Sequence, residues 1–144
     1  MKSSVPIAVT SRSFCRNPLL RAELLERYST VRFNDEGASL SDDKLIEFCR
    51  GREKVITALE RIDDRFLSEL PELKVVSKYG VGTDMLDMDA MIHHGVRLGW
   101  TGGVNRRSVS ELVIAFSIAL LRHFGPAIEE TSKGIWQNRV GGCI

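Results

Sequence analysis

Residues 73–124 read LKVVSKYGVGTDMLDMDAMIHHGVRLGWTGGVNRRSVSELVIAFSIALLRHF. The apolar run at 73–77 has Val75 and Val76 adjacent, the pattern of a strand covered on both faces. It runs into Lys78-Tyr79-Gly80-Val81-Gly82-Thr83-Asp84. Asp87 then stands where a cap belongs, ahead of a short helix over 88–94 that Gly95 stops. Residues 96–100 form the next strand. The turn Thr101-Gly102-Gly103-Val104-Asn105-Arg106-Arg107-Ser108 follows and opens a long apolar helix over 109–123. Ser108 and Glu111 have the spacing of a capping box for that helix. Two strand ends are therefore expected to meet as small-residue loops lining one crevice.

The same alternation continues upstream. Residues 7–10 are a short apolar strand. Asn17 offers a cap with Pro18 at the first helical position, and Leu19, Leu20, Leu24 and Leu25 make a helical stripe. Residues 30–33 read as a strand. Ser41 can cap a helix whose first turn holds Asp42 and Asp43, suited to the positive end of the helix dipole, and Gly51 marks its stop. Residues 55–58 are a third strand, and a short helix starts at Asp63 or Asp64 and runs to Leu70. Downstream, residues 126–133 form a last amphipathic helix, released by Gly134. Strands separated by helices of this length predict right-handed crossovers, so the fold class is α/β: a parallel sheet with helices on both faces. Ligands of such sheets sit outside the carboxyl ends of the strands. That singles out the loops after 58, 77 and 100.

Composition narrows the function. The chain has 144 residues, 43% hydrophobic and 27% charged, with a formal net charge of +1. One domain's worth of core is available at this length. A charge so near zero, with no basic stripe, argues against a nucleic-acid partner. Residues 112–121 are the longest apolar stretch, about half the length a bilayer span needs, so no membrane partner is expected and the stretch reads as a buried helix. Cys15, Cys49 and Cys143 are far apart and show no metal-ligand spacing, so no metal is expected. They read as reduced thiols of a cytoplasmic protein, with Cys49 in the core.

The first glycine turn has two readings. It is a tight strand-to-helix turn requiring positive φ. It is also a place where bare backbone lets the N–H groups of Val81 and Gly82 point at an anion. It is not a dinucleotide fingerprint, because Met85 stands where that motif needs a small residue. The second turn is a capping loop that also places Asn105, an amide with both donor and acceptor, at the positive end of the long helix. Together the turns indicate a small-anion site.

The K-Y-G-V-G-T-D turn, the D-M-D-A segment leading to G-V, and G-V-N-R-R-S-V-S-E-L ahead of the apolar helix resemble the D-isomer-specific 2-hydroxyacid dehydrogenases, a family that includes phosphoglycerate dehydrogenase. S-D-D-K-L-I-E-F and L-P-E-L-K-V-V extend the resemblance over nearly the whole chain. It implies a flavodoxin-like substrate (catalytic) domain over 1–124. Residues 125–144 would then be an interdomain segment leading toward an NAD-binding Rossmann domain that this chain lacks. The family tryptophan just before that domain matches Trp136. By the same resemblance Gly80, Val81 and Gly82 bind the substrate carboxylate through backbone N–H groups. Asn105 contacts the substrate or the nicotinamide side of the cleft, and Val109 touches the nicotinamide of NAD (or NADP). The partner is a small 2-hydroxy or 2-keto acid, and a homo-oligomer is implied.

The family's catalytic arginine, acid and histidine lie beyond the segment matched, so no catalytic residue is expected here and the chain reads as truncated and inactive alone. Hydride transfer needs both a held nicotinamide and a general acid–base. His93, His94 and His123 read as solvent-exposed residues at helix ends. Phosphoglycerate-type members carry an arginine and a serine after the third strand, where this chain has Thr57 and Ala58, with Arg61 later. A second function class is a stand-alone small-anion-binding or dimerisation module without catalysis. The apolar helix over 109–121 carries apolar residues around most of its circumference and supports that reading through self-association. A phosphoacceptor receiver domain would need an acidic cluster after the first strand, where Thr10-Ser11-Arg12 stands instead.

Overall fold

The computed structural model describes residues 1–143. It divides into two compact units, Met1–Gly102 and a second beginning at Gly103. The first holds β1 (Ile7–Val9), α1 (Arg12–Arg16), α2 (Pro18–Arg27), β2 (Val31–Phe33), α3 (Asp42–Cys49), β3 (Lys54–Thr57), α4 (Asp64–Ser68), β4 (Val75–Lys78), α5 (Met88–His93) and β5 (Arg97–Gly99). The second holds α6 (Arg106–Leu121) and α7 (Phe124–Ser132).

The five strands form one parallel sheet in the order β2-β1-β3-β4-β5. This is the flavodoxin-like arrangement, whose order reverses between β1 and β3. Strand alternation assigns the layers. Ile7 and Val9 pack with Phe14 and Cys15 of α1 and with Leu20 and Leu24 of α2. Ala8, Val55 and Val76 point the other way, into a larger cluster with Leu45, Ile46 and Cys49 of α3, Phe66 and Leu67 of α4, and Ala90 and Met91 of α5. Helices therefore cover both faces, as the alternation predicts. Each large aliphatic side chain taken fully out of water contributes about 1.5–3 kcal/mol.

Several local signals act as expected. The Asn17 side chain accepts from the N–H groups of Leu19 and Leu20 at 3.0 and 3.3 Å. Asp63 accepts from Phe66 N–H at 3.0 Å and Asp87 from Ala90 N–H at 2.9 Å. Gly51 and Gly95 follow α3 and α5 at φ +69° and +67°, where a side chain would be strained.

Three expectations are corrected. Ser41 precedes α3 but its hydroxyl makes no capping bond; its carbonyl instead receives Lys44 and Leu45 N–H, and Asp42 adopts φ +48°. Ser108 is not a cap. The turn at Gly103 (φ +69°) lets Arg106 N–H reach the Gly103 carbonyl at 3.1 Å, so the helix starts earlier, with Asn105 at its N-cap position. Glu111 then faces Arg107 one turn away at 2.9 Å, not Ser108. The apolar helix is also not buried: none of the residues of α6 is, and Phe116 and Leu120 are 62% and 77% exposed. Of the secondary-structure elements in its unit only α7 packs against it, and one short helix cannot cover a helix apolar on most sides. Among the described residues no single helix is long and apolar enough to cross a membrane; α6 and α7 pass such a test only jointly, with a 62° bend between them.

Candidate functional site

Parallel pairing brings the carboxyl ends of β1, β3 and β4 together at one edge of the first unit. Tyr79 N–H donates to the Thr57 carbonyl at 2.7 Å, and the Lys78 ammonium donates to the Ala58 carbonyl. These bonds hold the start of the glycine turn against the end of β3. Gly80 then takes φ +148°, a conformation L side chains rarely adopt. Among the described residues, the N–H groups of Gly80, Val81 and Gly82 have no acceptor. The Val81 carbonyl does have a partner, the indole N–H of Trp100 at 3.1 Å. The turn is thus anchored through its carbonyl, with its donors unspent. A Cβ on Gly82 would stand 2.8 Å from the Asp84 carboxylate, so that position has no room for a side chain without a shift. The turn does not lead directly into a helix, since α5 begins only at Met88.

Beside the turn, at the point where strand order reverses, lies a cleft of ≈ 750 Å³ lined by Ser11, Arg12, Ser13, Arg16, Ala58, Leu59, Glu60 and Tyr79. Sheets of this order bind ligands at that reversal. The end of β1 next to it is well fixed. Thr10 is fully buried and bonds to the Ile56 carbonyl through both its N–H and its hydroxyl, at 2.9 and 3.2 Å. Buried Asn34 donates to the carbonyls of Thr10 and Ala38 at 3.0 and 2.9 Å and accepts from Ala38 N–H at 3.1 Å. Tyr79 meets Phe14 of α1 edge to face, with ring centroids 5.3 Å apart, which joins α1 to the start of the turn.

Glu60 is the acidic member of the lining. One of its carboxylate oxygens accepts from the Thr57 hydroxyl and from Ala58 N–H, each at 2.8 Å. Burial pushes its pKa up, but the Ala58 N–H and the Thr57 hydroxyl outweigh that and hold it below the usual glutamate range. It is a structural carboxylate closing the end of β3. Among the described residues, no cluster of His, Cys, Asp and Glu could hold a metal. Burial pushes the Cys49 thiol up to about 12, and the Cys15 thiol is also raised, so neither is a nucleophile at neutral pH.

The sequence-derived residues divide between the two units. Gly80, Val81 and Gly82 form the turn just described. Asn105 and Val109 belong to the second unit, at the start of α6, where Val109 N–H donates to the Asn105 carbonyl at 3.0 Å. The Asn105 side chain makes no capping bond, and Val109 is 48% exposed. Arg61 does not join the cleft: it pairs with Asp63 at 3.2 Å. His94 is only half-exposed; it bonds the Asp64 carboxylate at 2.9 Å and stacks edge-on with His93. The sequence reading missed α1 altogether, and with it Arg12 and Arg16. Ser11 was the available signal, since its hydroxyl caps α1 by accepting from Phe14 N–H at 3.3 Å.

A dinucleotide needs a strand, a glycine loop and a helix in immediate succession to receive its phosphates. Neither the 80–84 turn nor any other described segment of the first unit has that form, so these residues do not fit the phosphates of NAD.

Comparison with known proteins agrees with this geometry. Residues 7–142 match the family model for the D-isomer specific 2-hydroxyacid dehydrogenase, catalytic domain. Glyoxylate/hydroxypyruvate reductase B of Serratia proteamaculans is 30% identical over 119 residues, covering 83% of this chain and 37% of that protein. The solved D-2-hydroxyisocaproate dehydrogenase superposes with a TM-score of 0.73 at 20% identity, covering 99% of this chain and 43% of that one. A cofactor (NAD+)-bound 3-phosphoglycerate dehydrogenase of Entamoeba histolytica superposes at 0.65 with 23% identity, covering 83% of this chain and 40% of that one. The chain thus spans well under half the length of these relatives. With its strand order, its open glycine turn and this match over most of its length, the chain belongs to the D-isomer specific 2-hydroxyacid dehydrogenase family and corresponds to its catalytic domain.

Proposed function

We propose that this chain is the substrate-binding part of an NAD-dependent oxidoreductase that acts on the CH–OH group of D-2-hydroxy acids. The observation that carries this reading is the turn 80–82: three consecutive N–H groups without acceptors among the described residues, at a strand end beside the sheet's reversal point. The substrate carboxylate takes Val81 and Gly82 N–H, and Gly80 supplies the backbone angle that exposes them. Charge-assisted bonds of this kind are about twice as strong as neutral ones. Asn105 serves the substrate or nicotinamide side, and Val109 borders the nicotinamide. Residues 1–124 act as the substrate domain and 125–144 as the segment leading to the dinucleotide-binding part. The reaction also needs a general acid–base and a guanidinium facing the acid, which this reading assigns to residues outside the described set. The protein is read as cytoplasmic.

Titration of the chain with D-lactate or glyoxylate tests this. Amide resonances of 80–82 are expected to shift saturably, and Gly80→Val is expected to abolish the shift. Unmoved resonances at millimolar acid would remove the reading. The chain alone is expected to form no NADH from any 2-hydroxy acid.

A second reading, a dimerisation module, has its own support in the exposed apolar surface of α6 and α7, including Phe116, Leu120 and Phe124. It predicts a homo-oligomer. Light scattering at micromolar concentration should give more than the monomer mass, and a sharp monomer would count against it.

A further inference from the structure

The cleft at the strand reversal is larger than a carboxylate requires, and its lining is not neutral. Arg12 and Arg16 stand four residues apart on α1, so they share one face of that helix. Both border the cleft. Neither has a carboxylate within 4.0 Å among the described residues. Their neighbour Arg21 differs: it pairs with Asp35, donates to the Cys15 carbonyl and lies over the Phe33 ring. The Arg16 guanidinium lies beside Gly37, whose φ of +64° favours glycine on backbone grounds.

Glu60, the only carboxylate in the lining among the described residues, does not neutralise the pair by contact. Its bonded oxygen is committed to Thr57 and Ala58 at the end of β3. The described lining therefore presents two guanidiniums without carboxylate partners, with the side chains of Ser13 and Tyr79 beside them. A guanidinium stays charged at every physiological pH and offers paired donors that match a carboxylate or a phosphate. Tyr79 follows β4 and immediately precedes the turn 80–82, so the cleft is continuous in sequence with the free amides.

We propose that Arg12 and Arg16 are a distal-anion site, so that the acid selected by this cleft carries a second negative group, a carboxylate or phosphate, besides the carboxylate beside its hydroxyl or keto carbon. The proposal deepens the reading given above and rests on it for the first carboxylate. The two arginines act on specificity, not on the reacting atoms. Arg61, which the sequence offers for such a role, is occupied by Asp63 instead.

Calorimetric titration of the full chain with D-lactate, D-2-hydroxyglutarate, 3-phospho-D-glycerate and inorganic phosphate tests it. The acids with a second anion are expected to bind about tenfold or more tightly than D-lactate, the scale of one or two charge-assisted bonds. Comparing the last two acids tells carboxylate from phosphate. In Arg12→Gln and Arg16→Gln that ratio should fall toward one, and Arg16→Lys should keep part of it. Raising the salt concentration should shrink the ratio as well. Both arginines are exposed, and circular dichroism of each variant checks that the fold holds. Equal affinities for all the acids, or a preference that survives both Gln variants, would overturn the proposal. If D-lactate moves the 80–82 amides and a second anion adds nothing, the arginine site fails and the carboxylate turn stands. If inorganic phosphate binds, is lost in the Gln variants, and no acid reaches the turn, the arginine site stands and the turn fails. Binding of neither acids nor phosphate overturns both.

Discussion

The two compact units treat apolar residues in opposite ways. In the first, β1, β3 and β4 are sealed from both sides, and Ala8, Val55 and Val76 are fully buried. In the second, α6 has a comparable supply of large apolar side chains and buries none of them. The difference lies in geometry rather than composition. A parallel sheet has two faces, and helices returned by each crossover cover both. A helix apolar around most of its circumference has no such built-in lid, so its cover must come from another surface. The first unit is thus a finished core, and the second holds binding potential in reserve.

Hydrogen exchange should widen this contrast most. Amides of β1, β3 and β4 are expected to open only with global unfolding, about 5–15 kcal/mol for a domain, while those of α6 and α7 open at a small fraction of that. Equal protection in both units would break the comparison. Protection of α6 that rises with protein concentration would sharpen it, by showing that a second copy supplies the cover. Next in size, Leu67→Ala, at a position buried among α3 and α4 residues, should cost about 2–5 kcal/mol in urea denaturation. Leu120→Ala should stay within about 0.5 kcal/mol under the same conditions.

Helix caps give a smaller test inside the first unit. Asn17→Ala removes an acceptor used by two N–H groups and should cost about 1 kcal/mol. Ser41→Ala removes no capping bond and should stay within about 0.5 kcal/mol. Both can be read from thermal denaturation midpoints.

The smallest effect concerns pH. Glu60 has a lowered pKa in the folded chain, so its ionised form stabilises the fold. That contribution is complete above the ordinary glutamate range and is lost as pH falls through the lowered folded value. Glu60→Gln should therefore lie below the parent in stability near neutral pH, and the gap should close on acidification. A gap that widens toward acid would reverse the sign and remove the role given to Thr57 and Ala58.

These residues also show how much could be read from the chain itself. Strand alternation, Asn17 before Pro18, and the glycines after α3 and α5 are local signals with one physical meaning, and the sheet follows from them. The turn 80–82 was legible for the same reason, because a strand running into glycine has few alternatives. Ser41 and Ser108 misled because a cap needs a backbone angle as well as a residue type. Asp42 takes φ +48°, and Gly103 starts its helix before Ser108 is reached. Of the cleft, only the side made by the loops after 58 and 77 was legible; the side made by α1 was not. Arg12 and Arg16 sit between a strand and a recognised cap, and only the folded order of β1 beside β3 brings them to Glu60 and Tyr79.

The outermost strands of the sheet have a further consequence. β2 and β5 are three residues each, and each carries an exposed arginine, Arg32 and Arg97. Arg32 lies over the Phe48 ring and donates to the Phe48 carbonyl at 3.2 Å. A strand arriving from another molecule would find too few rungs to hold it and a cation at each border. The sheet is therefore a poor template for fibril growth. Any association of this chain is directed away from backbone pairing and toward side-chain contacts on its helices.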